Sequence, residues 1–520
     1  MKKKYFINLK CIGIHFKFIK NIKMHTISNS FDIYKILPTK RLRIILQIPV
    51  SRFFCDYLKM ILFNLMRDLS SFKMNRMKTR CVYQTTSKQK TIKRQLVSMN
   101  SDLRKQSTSK NSIQIFKDSE DHSLEHLNRT GISFLKTIPL PSQHEESYKF
   151  TSLDKLFDTN LFSNNQKNTI HLPKFSTDEE QMEIHFLNGF CLEDFSSTSY
   201  LSSKHLYLGS FGALPSEKKK YLLDISNRAE NGVTGGFFSA LNTACLNQMS
   251  VLLIPENYNC EKKINLFFQQ NDYCSKFYLN QKLIIISGRN SNSKIFQYHF
   301  SFSKLIYFDN TNVNIILKDH SAMKYYVTTK NNQFSSQVFS LYVDVKKNVS
   351  FDFLLASSNS FVSRINVGID INGINSKVSS KSISLVNNEG MTDFHSRITH
   401  NHPQCISSQS HKNLVRENGH GIFSGKIQVH GTAFNSEACQ LCKSLLLSKK
   451  SKVDVMPILE INNDNVKCTH GSTIADLDKN QIFYLQSRGI SIETSYKMLV
   501  NSFIRDIVDS FPDFSKKILS

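Results

Sequence analysis

Between about residues 251 and 466 apolar and polar positions alternate in short runs: KLIIISG, IFQYHFSF, KLIYFD, VNIILKD, FSLYVDV, RINVGIDI, KIQVHG and VDVMPILEI. A period of two sends successive side chains to opposite faces, so each run predicts a β-strand. Asn, Ser and Gly separate the runs and no helical period of any length intervenes, which makes this part of the chain mainly β. Alternation alone fits a sandwich, a barrel or a solenoid, and no clean repeat chooses among them.

The flanks change period. Ser123 to Lys136 reads as a helical patch, followed by a turn at Pro139 and Pro141. In GFFSALNTACLNQMSVLL, from Gly236 to Leu253, Phe238, Leu241, Ala244 and Cys245 have helical spacing, and Cys245 reads as a small core residue. Near the C-terminus, Val466 to Ile490 combines a short strand with a helix. Cys468 and His470 share one face of the strand. Asp478 is then an N-cap with Gln481 at N3, Ile482 and Leu485 lie on one stripe, and Gly489 is placed to end the helix in a left-handed turn. A last helix from about Ile492 to Ser510 presents Tyr496, Leu499, Val500, Phe503, Ile504, Ile507 and Phe511 on one side.

Charge bears on the picture mainly through its location. The 520-residue chain carries a net +25, but residues 1 to 110 hold 25 Lys and Arg against Asp32, Asp56, Asp68 and Asp102. The rest is nearly neutral. That distribution fits a basic organelle-targeting extension over residues 1 to 90, for which no fold is assigned, and it argues against a nucleic-acid-binding body. Eleven cysteines without framework spacing suit a reducing compartment. The most hydrophobic stretch, Ile44 to Leu65, is interrupted by Arg52, Asp56 and Lys59, so no membrane span is expected.

The sharpest chemical constellation is Cys439-Gln440-Leu441-Cys442 followed by Cys468-Thr469-His470. Four such ligands would suit zinc, but Cys439 and Cys442 have opposite parity on a strand and point to opposite faces. Cys442 and His470 are 28 residues apart, within the span of one solenoid coil, so successive coils could bring them together. His395, His400, His402, His411, His420 and His430 lack the spacing of a compact site and read mostly as solvent or turn residues. Gly421 to Lys426 is one residue short of a phosphate loop and lacks the hydroxyl after lysine. No catalytic triad, carboxylate pair or dinucleotide fingerprint stands out, so a self-sufficient active site is not expected.

Two of these motifs also carry a resemblance. Lys467-Cys468-Thr469-His470-Gly471, followed by Phe483-Tyr484-Leu485 and Ser487-Arg488-Gly489-Ile490, resembles the C-terminal signature of the SufD family, scaffold subunits of the SUF iron-sulfur cluster assembly machinery. Gly471 stands where the sister SufB subunits carry glutamate. Glu145 to Leu153 resembles the family's N-terminal element, with Tyr148 in place of its usual tryptophan. Leu206 to Leu214, Gly236 to Pro255 and Gly421 to Ile427 resemble parts of its core.

The resemblance implies a right-handed parallel β-helix flanked by N-terminal and C-terminal helical regions. The domains would be a targeting extension (1–90), a mixed helical region (91–235), the β-helix (236–475) and a C-terminal helical domain (476–520). It further implies a non-catalytic scaffold of the plastid stroma that pairs with SufB and docks the SufC ATPase. His470, Cys468 and Cys442 would face the cluster-assembly interface, with His470 and Cys442 as iron ligands, Cys442 standing where SufB carries its proposed cluster-building cysteine. Phe483, Tyr484, Arg488, Tyr496 and Phe503 would form the SufC-docking helices. No cofactor is expected to bind stably; a cluster or iron would be held only transiently at the SufB interface.

Overall fold

The computed structural model describes short strands between residues 6 and 46, and then 122–151, 156, 181–192, 206–222, 236–270, 277–301 and 306–511, with residues 139, 140, 188, 247 and 359 outside the description. Two compact units result, Met1–Ser87 and Lys88–Ser520. In the first, Phe6–Leu9 pairs antiparallel with Ile14–Lys17, and Ile22–Ile27, Ser30–Ile36 and Arg41–Leu46 form a three-stranded antiparallel sheet. The targeting role expected for residues 1 to 90 concerns positions mostly outside the described residues.

The second unit is a parallel β-solenoid. From Met249–Ile254 onward, consecutive strands go alternately to a nine-stranded and a ten-stranded sheet, so neighbours within a sheet are one coil apart. From Gln181–Leu187 in one sheet and Met249–Ile254 in the other, pairing stays parallel to the end of both. Register is unbroken across coils, as when Val362–Ile371 pairs residue by residue with Met391–His400. Inward rows such as Val313, Leu341, Val367 and Ile315, Val343, Ile369 stack between the sheets and are buried almost completely. At about 25 cal/mol per Å² of buried apolar surface, these rows are the main stabilising term.

One corner of the coil recurs with the same chemistry. Asn257, Asn290, His320, Asn348, Asn375, Gln404 and Asn435 all have positive φ, the left-handed conformation that Asn tolerates better than most residues. Their amides stack: Asn290 Nδ2 donates to Asn257 Oδ1 (2.8 Å), Asn375 to Asn348 (2.9 Å) and Asn465 to Asn435 (2.8 Å). This is the repeat that hydrophobicity does not show.

Three expectations change. KLIYFD and VNIILKD are one strand, Tyr307–Leu317, because the intervening Asn310, Thr311 and Asn312 are buried and in register with Val338, Phe339 and Ser340. Ala322–Lys330, Ser350–Ser358, Lys377–Val386 and Ile406–Val415 are additional strands. In Lys377–Val386 the inward row includes Ser380, Ser382 and Ser384, all buried, so the interior itself is polar and hydrophobic alternation fades. His395, His400 and His411 are core residues rather than solvent or turn residues.

Helices flank the solenoid. α1 (His122–Thr137) packs on α2 (Phe237–Ala244), and every residue of α2 is buried. Asn242 Nδ2 fastens α2 to the outer face of the nine-stranded sheet, donating to Asn310 O (2.7 Å) and Gln281 O (3.1 Å). α3 (Lys479–Ser487) and α4 (Ile492–Val508) follow the last strand. Ile507 and Phe511 pack on Leu354, Ala356 and Ile383 across the ten-stranded sheet. Among the described residues no helix is long and apolar enough to cross a membrane.

Candidate functional site

The last coil consists of Lys452–Ile461 and Val466–Asp476, the terminal strands of the two sheets. Each pairs on one side only, and their burial drops sharply against the coils behind them. Among the described residues the solenoid therefore ends without a cap. An uncovered edge of this kind is a template for pairing with another chain.

Register fixes what lies at that end. Ala438 pairs with Cys468, Gln440 with His470 and Cys442 with Ser472. Ala438, Gln440 and Cys442 are buried on the inward face, so Cys468 and His470 continue the same row into the open coil. His470 is exposed, and Cys468 is half-buried against Ala438, Ile427 and Leu459. Cys442 lies diagonally behind His470, roughly 8 Å away between Cα atoms as strand spacing requires. It is fully buried, and burial pushes its thiol up to about 12, so it is a neutral thiol in the free chain. Cys439 occupies the opposite, exposed face of the same strand, so the two cysteines of Cys-x-x-Cys do not converge.

Behind this row the interior is hydrogen-bonded. Gln440 Nε2 donates to Gln409 Oε1 (2.8 Å), and Gln409 Nε2 to Ser396 Oγ (2.6 Å). His411 Nε2 meets Asn413 Oδ1 (3.0 Å) and its Nδ1 meets Ser382 Oγ (2.7 Å), which makes Nε2 the protonated nitrogen. The ring packs against both Phe394 and Phe423, with centroids 4.6 and 4.8 Å away. Burial lowers its pKa to about 4.

The helices that follow have one packed side and one free side. The Asp478 side chain caps α3 by accepting from the Asn480 amide (2.8 Å), Ile482 is the one buried residue of α3, and Gly489 leaves the helix at φ 80°. Phe483 is 73% and Tyr484 58% exposed, and Tyr496, Met498 and Ile492 on α4 are exposed as well. The Arg488 guanidinium lies 5.3 Å from the Tyr484 ring. Phe503 is placed differently from these. It is half-buried in the cluster of Leu414, Leu445 and Val500, with Lys412 Nζ 4.9 Å from its ring and 2.5 Å from Asp506 Oδ1.

The N-terminal element crosses the outer face of the nine-stranded sheet. There the Arg364 guanidinium sits 4.0 Å from the Tyr148 ring, and Thr151 Oγ1 donates to Asp393 Oδ2 (2.5 Å). Sequence reasoning did not single out Arg364 or Asp393; their 29-residue separation, one coil, was the available signal.

These features define a parallel β-solenoid whose candidate ligand side chains stand at an uncapped end, next to a helical pair with exposed aromatic residues. Residues 268–503 match the family model for the SUF system FeS cluster assembly SufBD core domain. The chain is 26% identical over 403 residues to Protein ABCI7, chloroplastic, of Arabidopsis thaliana, covering 75% of this chain and 83% of that protein. It is 25% identical over 408 residues to an iron-sulfur cluster assembly SufBD family protein of Synechocystis, covering 76% and 88%. Over 164 residues it is 34% identical to the iron-sulfur cluster assembly protein SufD of Escherichia coli, covering 32% and 38%. Over the solenoid the chain is thus similar to the SufB/SufD family of iron-sulfur cluster assembly proteins.

Proposed function

We propose that this chain is a SufD-type scaffold subunit of a plastid SUF complex, pairing with a SufB subunit through the open end of the solenoid and docking a SufC ATPase on α3 and α4. The observation that carries the reading is the inward row at the uncapped coil, where His470 is exposed beside Cys468 and in front of Cys442. A neutral imidazole at a subunit boundary can ligate iron that arrives and leaves as cargo when the boundary opens. Iron and sulfide are the substrates of that interface, and the chain contributes positioning and one or two ligands rather than catalysis. Cys468 lines the same boundary. Cys442 becomes a ligand only when pairing or opening of the last coil relieves its burial.

Docking of SufC falls to the free side of the helices: Phe483, Tyr484 and Tyr496, with Arg488 held over Tyr484. Phe503 anchors α4 on the solenoid and so sets that face. The plastid assignment is supported by the chloroplastic Arabidopsis relative and by the basic stretch before residue 110.

Co-purification with separately tagged SufB and SufC, for the native chain and for His470→Ala, tests the reading. The expected result is a complex in both cases with iron-sulfur assembly reduced at least tenfold in the variant. If neither SufB nor SufC is retained by the native chain, the scaffold reading fails. If assembly is unchanged by His470→Ala, the histidine has no ligand role.

A further inference from the structure

A second concentration of polar groups lies on the outer face of the nine-stranded sheet, on a different surface from the open end. In register, Arg364 pairs with Asp393 and Asn366 with His395. Arg364 is only 3% exposed and Asp393 1%. Arg364 Nη1 donates to Asp393 Oδ2 (2.6 Å) and to Ser147 O (2.8 Å). Asp393 also accepts from Thr151 at Oδ2 (2.5 Å), while His395 Nε2 lies 2.8 Å from Oδ1 without a hydrogen bond between them. Oδ2 is thereby fully engaged.

The guanidinium is not. Its only hydrogen bonds among the described residues run from Nη1, and the buried Nε has no partner. A buried N–H left unpaired costs about 1–3 kcal/mol, so a partner belongs there. Next to it is a cavity of about 200 Å³ whose lining includes Arg364, Asn366, His395, Tyr148 and Phe237. Gly236, also in the lining, is the N-cap of α2, and no side chain caps that helix. The amides of the first turn thus meet the cavity at the positive end of the helix dipole.

We propose that this cavity binds a small oxyanion, a phosphate or a small carboxylate, held between the unpaired edge of Arg364 and the first-turn amides of α2. The cavity is smaller than the 300–1,000 Å³ typical of sites for larger ligands, which restricts the occupant to an inorganic anion or a compact organic acid. Tyr148 and Ser147 close one side of it, so the occupant also ties residues 145–151 to the solenoid. Glu145 lines the rim and is exposed, and its carboxylate opposes an anion.

Isothermal titration of the full chain with inorganic phosphate, at constant ionic strength, tests the assignment. Saturable 1:1 binding is expected. Arg364→Lys keeps a cation beside Asp393 but removes the free edge, and is expected to weaken binding at least tenfold. Glu145→Gln, an exposed change that leaves the core untouched, should tighten it severalfold. Competition by acetate or sulfate distinguishes a carboxylate site from a phosphate site. Absence of saturable binding by phosphate and acetate alike overturns the proposal, as does unchanged affinity in Arg364→Lys. Should that variant fail to fold, an affinity unmoved by Glu145→Gln overturns it equally.

Discussion

Cys442, Cys439 and Cys468 lie within one strand or its neighbour, and burial alone separates their chemistry. With its pKa near 12 the Cys442 thiol is roughly 10⁻⁴ ionised at pH 8, and the thiolate is the reactive form. Cys439 is exposed and Cys468 half-buried. Alkylation of the native chain followed by peptide mass mapping should label Cys439 first, Cys468 more slowly, and Cys442 only on unfolding. Equal labelling of Cys442 and Cys439 would show that the last coils are open in solution. Gly373 is decided by close approach: an added Cβ would lie 2.2 Å from the Lys347 amide nitrogen of the previous coil. Gly373→Ala should therefore cost about 1–3 kcal/mol in urea unfolding, as overpacking does, whereas Gly471, where a Cβ would meet only Leu441 at 3.5 Å, should accept alanine with little change.

At the scale of elements, α4 is fastened by Ile507, Phe511, Val500 and the Lys412–Asp506 pair, while the aromatic residues of α3 touch little of the chain. Ile507→Ala should cost about 2–5 kcal/mol of local stability, read as faster amide exchange in α4 with the solenoid strands still protected. Phe483→Ala and Tyr484→Ala should leave exchange unchanged and weaken SufC retention. Uniform loss of protection on Ile507→Ala would mean that helix and solenoid unfold as one unit. The helices were legible because their signals are local: the cap Asp478, the exit at Gly489 and the spacing of Val500, Phe503, Ile504 and Ile507 all lie within the element or next to it. Strands with apolar inward rows, such as Val362–Ile371, were legible for the same reason. Lys377–Val386 and Ile406–Val415 were not, since their inward rows carry buried Ser and His, with Ser382 and His411 meeting across neighbouring coils, and the neighbouring coil is invisible to a period-two reading. His470 and Cys468 could be assigned to one face by parity, but that their strand is the last of its sheet among the described residues is a property of topology.

Across the whole molecule, a polar interior makes folding sensitive to acid. Burial lowers His400 and His411 to about 4, and burial together with the Arg364 charge lowers His395. Each binds a proton near pH 6.5 when unfolded, so between about pH 6.5 and 4 the unfolded chain holds more protons than the folded one, and stability falls as pH falls. A shift of this size is on the order of 3 kcal/mol for each of His400 and His411. Asp393 acts in a lower window: His395 and Arg364 outweigh its desolvation and hold its carboxyl below the usual range, so its contribution is present above about pH 4 and is lost as pH drops further. Urea midpoints measured from pH 7.5 to 4.5 should therefore decline steadily, and His411→Gln, which can keep a bond to Asn413 or Ser382 but cannot titrate, should flatten the slope by about one proton. An unaltered slope in that variant would mean that His411 is already protonated, or accessible, in the folded chain. Because His411 packs against Phe394 and Phe423 one coil behind Cys442, that outcome would also place water inside the solenoid and bring the Cys442 thiol back toward its ordinary pKa. The acid slope and the alkylation order are thus two readings of one property, the dryness of the last coils.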